Sequence, residues 1–119
     1  MTSLKSQDTG APLRRSETCE EKLRRMCKEI ADSITFPKDH ITASDWFDDG
    51  NEVYDIEWIT HQDHSYKAAR LLVAGGGPNI WVNLQTNTVD GYWASDKCSW
   101  GFTDELGLDD HMKEIYDND

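Results

Sequence analysis

The apolar residues of this chain change their spacing partway along, and that change restricts the fold more than any other feature. Cys19, Leu23, Met26, Cys27, Ile30 and Ile34 recur at the three- and four-residue steps that place side chains on one face of a helix. Thr18 followed by Glu21 supplies a capping box, and Pro37 ends the pattern because the residue before a proline avoids the helical region. The spacing therefore predicts an amphipathic helix over about 18–34.

From Val53 the period falls to two. Tyr54, Ile56 and Trp58 alternate with Asp55 and Glu57 up to Thr60, as a strand with one covered and one wet face requires. His61 to Ser65 reads as a turn, Tyr66–Ala74 as a second strand, and Gly75-Gly76-Gly77-Pro78 as the strongest breaker in the chain. Ile80, Val82 and Leu84 then alternate with Trp81, Asn83 and Gln85, and Thr86 to Thr88 turns the chain into a last strand over Val89–Ala94. Connections this short predict a four-stranded antiparallel meander. Lys38 to Asn51 reads as a connection with an acidic turn. Thr103–Tyr116 reads as a short helix, capped by Thr103 or Asp109 and apolar at Leu108, Met112, Ile115 and Tyr116.

Two amphipathic helices and a sheet with one apolar face imply a two-layer α+β domain with both helices on the same side. If Ile80, Val82 and Leu84 face the helices, alternation sends Asp55, Glu57, Arg70, Trp81, Asn83, Asp90 and Tyr92 to the uncovered side. A one-residue register shift would exchange the two sets. With 119 residues the chain holds one core, expected over 16–119. Residues 1–15 lack hydrophobic period and are expected to form a flexible tail.

Charge narrows the partners. Residues 1–38 hold eight basic and six acidic side chains, whereas residues 39–119 hold four basic and 17 acidic, about −13. Such a field repels phosphate, which argues against direct nucleic-acid or anionic-membrane binding and favours a basic protein partner. The sequence contains no membrane-length apolar run and its start lacks a signal-peptide core, so a soluble cytoplasmic protein is expected. Cys19, Cys27 and Cys98 form an odd set without CxxC spacing and are read as small buried or idle thiols.

Chemical motifs are weak. Gly75 to Pro78 lacks the Lys and the following helix of a phosphate loop. His61, Asp63 and His64, with Asp96 or Glu52, have metal-ligating side chains but no diagnostic spacing. Asp45, Asp48, Asp49, Gly50 and Glu52 lack the alternate-position acids of a calcium loop. No GxSxG elbow or signature cysteine is present, so neither an enzyme nor a cofactor is expected. The five tryptophans fit core packing, with at least one expected to be exposed as a contact anchor.

The block GGGPNIWVNLQTNTVDGYW, residues 75–93, resembles an element of small acidic phage and prophage proteins. In these a GGP turn, an alternating strand, a Thr-containing turn and a V-x-G-Y-W strand follow one another. The resemblance implies an anti-CRISPR or antirestriction type of inhibitor that presents carboxylates where its target expects nucleic-acid phosphate, and it carries no catalytic residues. The mixed-charge first helix, with Lys22, Arg24, Arg25 and Lys28, confines that role to the chain after residue 39. Asp45, Asp48, Asp49, Asp55, Glu57, Asp90 and Asp96 are the expected carboxylates, with Trp81 and Tyr92 as anchors, against a basic nucleic-acid-binding defence effector of the host cell. Two other readings share these features: an immunity or antitoxin protein for a basic nuclease, and a small metal-binding enzyme domain using His61, Asp63 and His64.

Overall fold

The computed structural model of the chain describes residues 17–39, 41–48 and 52–118; the expected tail at 1–15 and the candidate Asp49 lie outside them. Three helices and five strands follow in the order α1 (Cys19–Thr35), α2 (Ala43–Asp48), β1 (Asp55–Thr60), β2 (Tyr66–Ala74), β3 (Asn79–Asn83), β4 (Thr88–Trp93), β5 (Asp96–Gly101) and α3 (Leu108–Asp117). The strands form one antiparallel meander in the order β1-β2-β3-β4-β5. The α+β class and the antiparallel sheet match the sequence expectation. The strand count does not, because five strands replace the four expected.

The extra strand follows a two-residue connection, Ala94-Ser95, between Trp93 and its partner Asp96. Tight hairpins need a left-handed residue, normally Gly or Asn, and here Ala94 takes φ 54°. Without that turn signature the hairpin was not legible, although Cys98 and Trp100 alternate with Lys97 and Ser99 as a strand requires. The other turns use recognisable devices. Gly76 takes φ 87° in the Gly-rich turn between β2 and β3, and Asn83 Oδ1 accepts from the backbone N–H groups of Gln85 and Thr86 at 2.9 and 3.3 Å.

Helix α1 begins at the expected capping box: the Glu21 N–H donates to Thr18 Oγ1 at 3.1 Å and the Thr18 N–H to Glu21 Oε1 at 2.9 Å. Its apolar stripe Leu23, Cys27, Ala31 and Ile34 is fully buried, and α1 packs on β4 and β5. The opposing sheet positions are Ile80, Val82 and Val89, all at 0% exposure. A Cβ at Gly91 would stand 2.6 Å from Cys27 Sγ and 2.8 Å from Leu23 Cδ1, so the missing side chain is what admits the helix.

The stretch expected as an acidic connection contains α2. Thr42 and Asp45 cap it reciprocally, Thr42 N–H donating to Asp45 Oδ2 at 2.8 Å and Asp45 N–H to Thr42 Oγ1 at 3.2 Å. Trp46 is buried at 1% exposure, with its indole N–H donating to Ser33 Oγ of α1 at 2.9 Å. Six residues are too few for a readable helical period. Helix α3 packs on β2 and touches α2. Its N-cap is neither Thr103 nor Asp109 but Gly107, at φ 74°, and the first N–H groups, of Leu108 and Asp109, donate to the Asp104 carboxylate at 2.8 and 3.0 Å.

Two substitutions of opposite sign test this account. Gly91→Ala crowds a buried sulfur and a leucine and should lower unfolding free energy by about 1–3 kcal/mol. Ala94→Gly relieves a left-handed alanine and should raise it by about 0.5–1 kcal/mol, the lost strain exceeding the added chain entropy. Chemical denaturation of the two variants measures both changes.

Candidate docking surfaces

The outward face of the sheet follows from register. Asp55, Leu72, Trp81, Asp90 and Ser99 pair in succession across the five strands and so lie in one row on one face. Glu57, Arg70, Asn83, Thr88 and Gly101 form the neighbouring row, and Asn79, Tyr92 and Lys97 flank the first on its other side. The helices cover the opposite face, where Ile80 and Val82 are buried. The seven residues expected to face outward therefore do so together.

At the centre of this surface Arg70 spans two of the candidates. Its guanidinium lies 4.4 Å from the centroid of the Trp81 ring and pairs with Glu57 across the β1–β2 ladder. The Arg70 side chain is only 26% exposed, so the Glu57 charge is largely answered within the sheet. Asp90 accepts from Ser99 Oγ at 2.7 Å, and Lys97 stands opposite Tyr92, which is 43% exposed. The outer face is thus an aromatic surface of mixed charge, on which Asp55 and Asp90 form no ion pair with another of the described residues.

The other acids lie elsewhere. Asp45 and Asp48 belong to α2 in the helical layer, and Asp45 is committed to the helix cap. Asp96 ends the tight β4–β5 hairpin opposite Trp93, at positions that alternate with the outward row. Five of the nine candidates, Asp55, Glu57, Trp81, Asp90 and Tyr92, share one surface, and Asp45, Asp48 and Asp96 do not join them.

A denser group of carboxylates surrounds α3. Asp104, Glu105, Asp109, Asp110, Glu114 and Asp117 lie within 14 residues. Asp110, Glu114 and Asp117 line an open depression of about 360 Å³ with Lys113 and Asn118. Lys113 Nζ is hydrogen-bonded to Asp117, which raises the lysine pKa above its ordinary value. Helix α2 meets this layer through the rings of Phe47 and His111, 5.4 Å apart. The acids of 104–117 are visible in the sequence, but helical spacing marks only the apolar side of the segment.

Helix α3 is fastened to β2 by aromatic and polar contacts. Trp58, Tyr66 and Tyr116 meet in edge-on or tilted contacts with ring centroids 5.2–6.2 Å apart. Tyr116 donates to the His64 carbonyl at 2.6 Å, and Tyr66 donates to Asp109 Oδ1 at 2.7 Å. Burial, reinforced by the Asp109 carboxylate, holds the Tyr66 phenol well above the ordinary tyrosine range.

The histidine cluster is a turn. His64 adopts φ 69°, and its N–H donates to the His61 carbonyl at 2.9 Å. Asp63 Oδ1 accepts from the Ser65 N–H and hydroxyl at 3.0 and 2.6 Å, the hydroxyl bond doing most to lower the Asp63 pKa. Among the described residues, no three or more His, Cys, Asp or Glu side chains are grouped to hold a metal ion. Among them also, no helix is long and apolar enough to cross a membrane.

These features define an acidic two-layer α+β protein with an open sheet face. Comparison with protein-family models, curated proteins and solved structures returns no match to the chain.

The Tyr66 contact makes a pH prediction. The folded phenol keeps its proton while the unfolded one ionises near pH ~10, so this contribution is complete below that pH and is lost as pH rises above it. Tyr66→Phe should therefore show a shallower loss of stability above pH ~10 than the parent chain, measured by urea denaturation across an alkaline series.

Proposed function

We propose that this chain is a non-enzymatic inhibitor that occupies a basic nucleic-acid-binding groove of a host-defence nucleoprotein, in the manner of the anti-CRISPR and antirestriction proteins that residues 75–93 resemble. The observation that carries this reading is the gathering of carboxylates along α3. Asp109, Asp110, Glu114 and Asp117 fall within about 12 Å of helix axis, offset by Lys113 alone within that helix. That linear charge density approaches the one charge per ~3.4 Å of a nucleic-acid strand.

The function of the acids is long-range attraction and register. A cationic groove draws the α3 side toward it, and charge complementarity then sets orientation more than it sets affinity. The sheet's outer face contributes a different kind of contact. Trp81, with the Arg70 guanidinium over its ring, and the exposed Tyr92 offer apolar area of the sort that anchors an interface centre. Because the two surfaces lie on opposite sides of a two-layer domain, a single groove engages one of them directly. The weaker net charge of the sheet face makes α3 the electrostatic side.

The test is displacement of fluorescent duplex DNA from a purified CRISPR ribonucleoprotein effector. Inhibition should weaken by roughly tenfold or more between 50 and 200 mM salt. The double variant Asp110→Lys/Glu114→Lys should slow association by roughly tenfold, and Asp55→Lys/Asp90→Lys should slow it less. Inhibition indifferent to salt and to both charge reversals would exclude electrostatic occupation of the groove.

A further inference from the structure

Cys27 and Cys98 are 71 residues apart in sequence, yet their sulfur atoms lie 3.2 Å from one another. The approach is built into the packing. Gly91 on β4 has no side chain where Cys27 and Leu23 press down, and Cys98 is the β5 residue paired with Gly91. The Cys27 thiol thus reaches past the glycine to the next strand. Both residues are free thiols, and a disulfide would require the sulfurs to close by about 1.2 Å.

We propose that Cys27 and Cys98 are an oxidisable pair that closes to a disulfide by exchange with a low-molecular-weight disulfide such as oxidised glutathione, stapling α1 to the edge strand β5. Access decides the order of steps. Cys27 is fully buried, whereas Cys98 is half-buried on the edge strand β5. Burial, with the neighbouring Cys98, also pushes the Cys27 thiol well above its ordinary range, so Cys27 is a poor first nucleophile.

Cys98 as thiolate attacks one sulfur of the small disulfide, breaking its S–S bond and releasing one small thiol. Cys27 then attacks the Cys98 sulfur of the mixed disulfide, and its proton leaves with the second small thiol. Two protein thiols are oxidised by two electrons, and one small disulfide is reduced to two thiols. Cys19, exposed at the start of α1, has no sulfur partner among the described residues and serves as an internal reference for simple reactivity.

The inference is independent of the docking proposal, because its readout is the protein's own covalent state. Cys19→Ser protein is reduced, then incubated with oxidised glutathione. The expected product is lighter by two hydrogens, yields a Cys27–Cys98 cross-linked peptide under non-reducing digestion, and melts roughly 10 °C or more higher. Dithiothreitol should reverse all three changes. In Cys19→Ser/Cys98→Ala, which alters only a half-buried position, Cys27 should stay unmodified and the melting shift should vanish. A stable glutathione adduct on Cys98 without ring closure would overturn the proposal. So would recovery of both thiols intact at a glutathione concentration that modifies Cys19 in the parent chain.

Discussion

The fold depends on one close approach, that of α1 to the sheet at Gly91. Removing a single Cβ there lets Leu23 and Cys27 seat directly against β4, and the rest of the stripe, Ala31 and Ile34, follows into the core. The hydrophobic effect drives the burial, but it is indifferent to geometry. The glycine supplies the geometry by determining which strands lie beneath the helix. With α1 over β4 and β5, the other end of the sheet is left to α3, which docks on β2 through Tyr66, Trp58 and Tyr116.

That division of the sheet explains the distribution of charge. The helices pack on one face, α1 on β4 and β5 and α3 on β2, and leave the other without a layer. The uncovered face does not become a uniform acidic plate, because Arg70 lies between Glu57 and Trp81 and Lys97 stands beside Tyr92. Acidity collects instead on the helical side, where α3 needs only one apolar stripe and leaves its remaining positions to Asp and Glu. The same packing that brings Cys27 beside Cys98 is silent on the outer face, so the thiol pair and the aromatic surface are separate features of one sheet.

Several elements are legible in the sequence. The capping box of Thr18 and Glu21 and the stripe from Leu23 to Ile34 define α1 to within one residue at each end. Alternation over Val53–Thr60 and Ile80–Gln85, with Tyr66–Ala74 bounded by the His61–Ser65 turn and the Gly75–Pro78 breaker, marks β1, β2 and β3. Local chemistry carried no such signal for β5, whose turn places an alanine in a left-handed conformation. Helix α2 has a local Thr42–Asp45 cap but only six residues, too few to show a period, and it is held in place by Trp46, buried against Ser33 of another helix. The candidate site divides in the same manner. Asp55, Glu57, Trp81, Asp90 and Tyr92 share a face because they share an alternation, whereas charge alone relates Asp45, Asp48 and Asp96 to them.

Periodicity and capping are properties of neighbouring residues, and from them the chain by itself determined its helix and strand types, its antiparallel class and the excess of acid after residue 38. Tertiary structure decided which groups from distant segments meet: the Cys27–Cys98 contact across 71 residues, the Arg70 clamp on Trp81 and the Tyr66–Asp109 bond across 43. The physical reason is that burial is not local. A side chain's charge state, exposure and partners depend on what packs over it, and that is settled only when the two layers close.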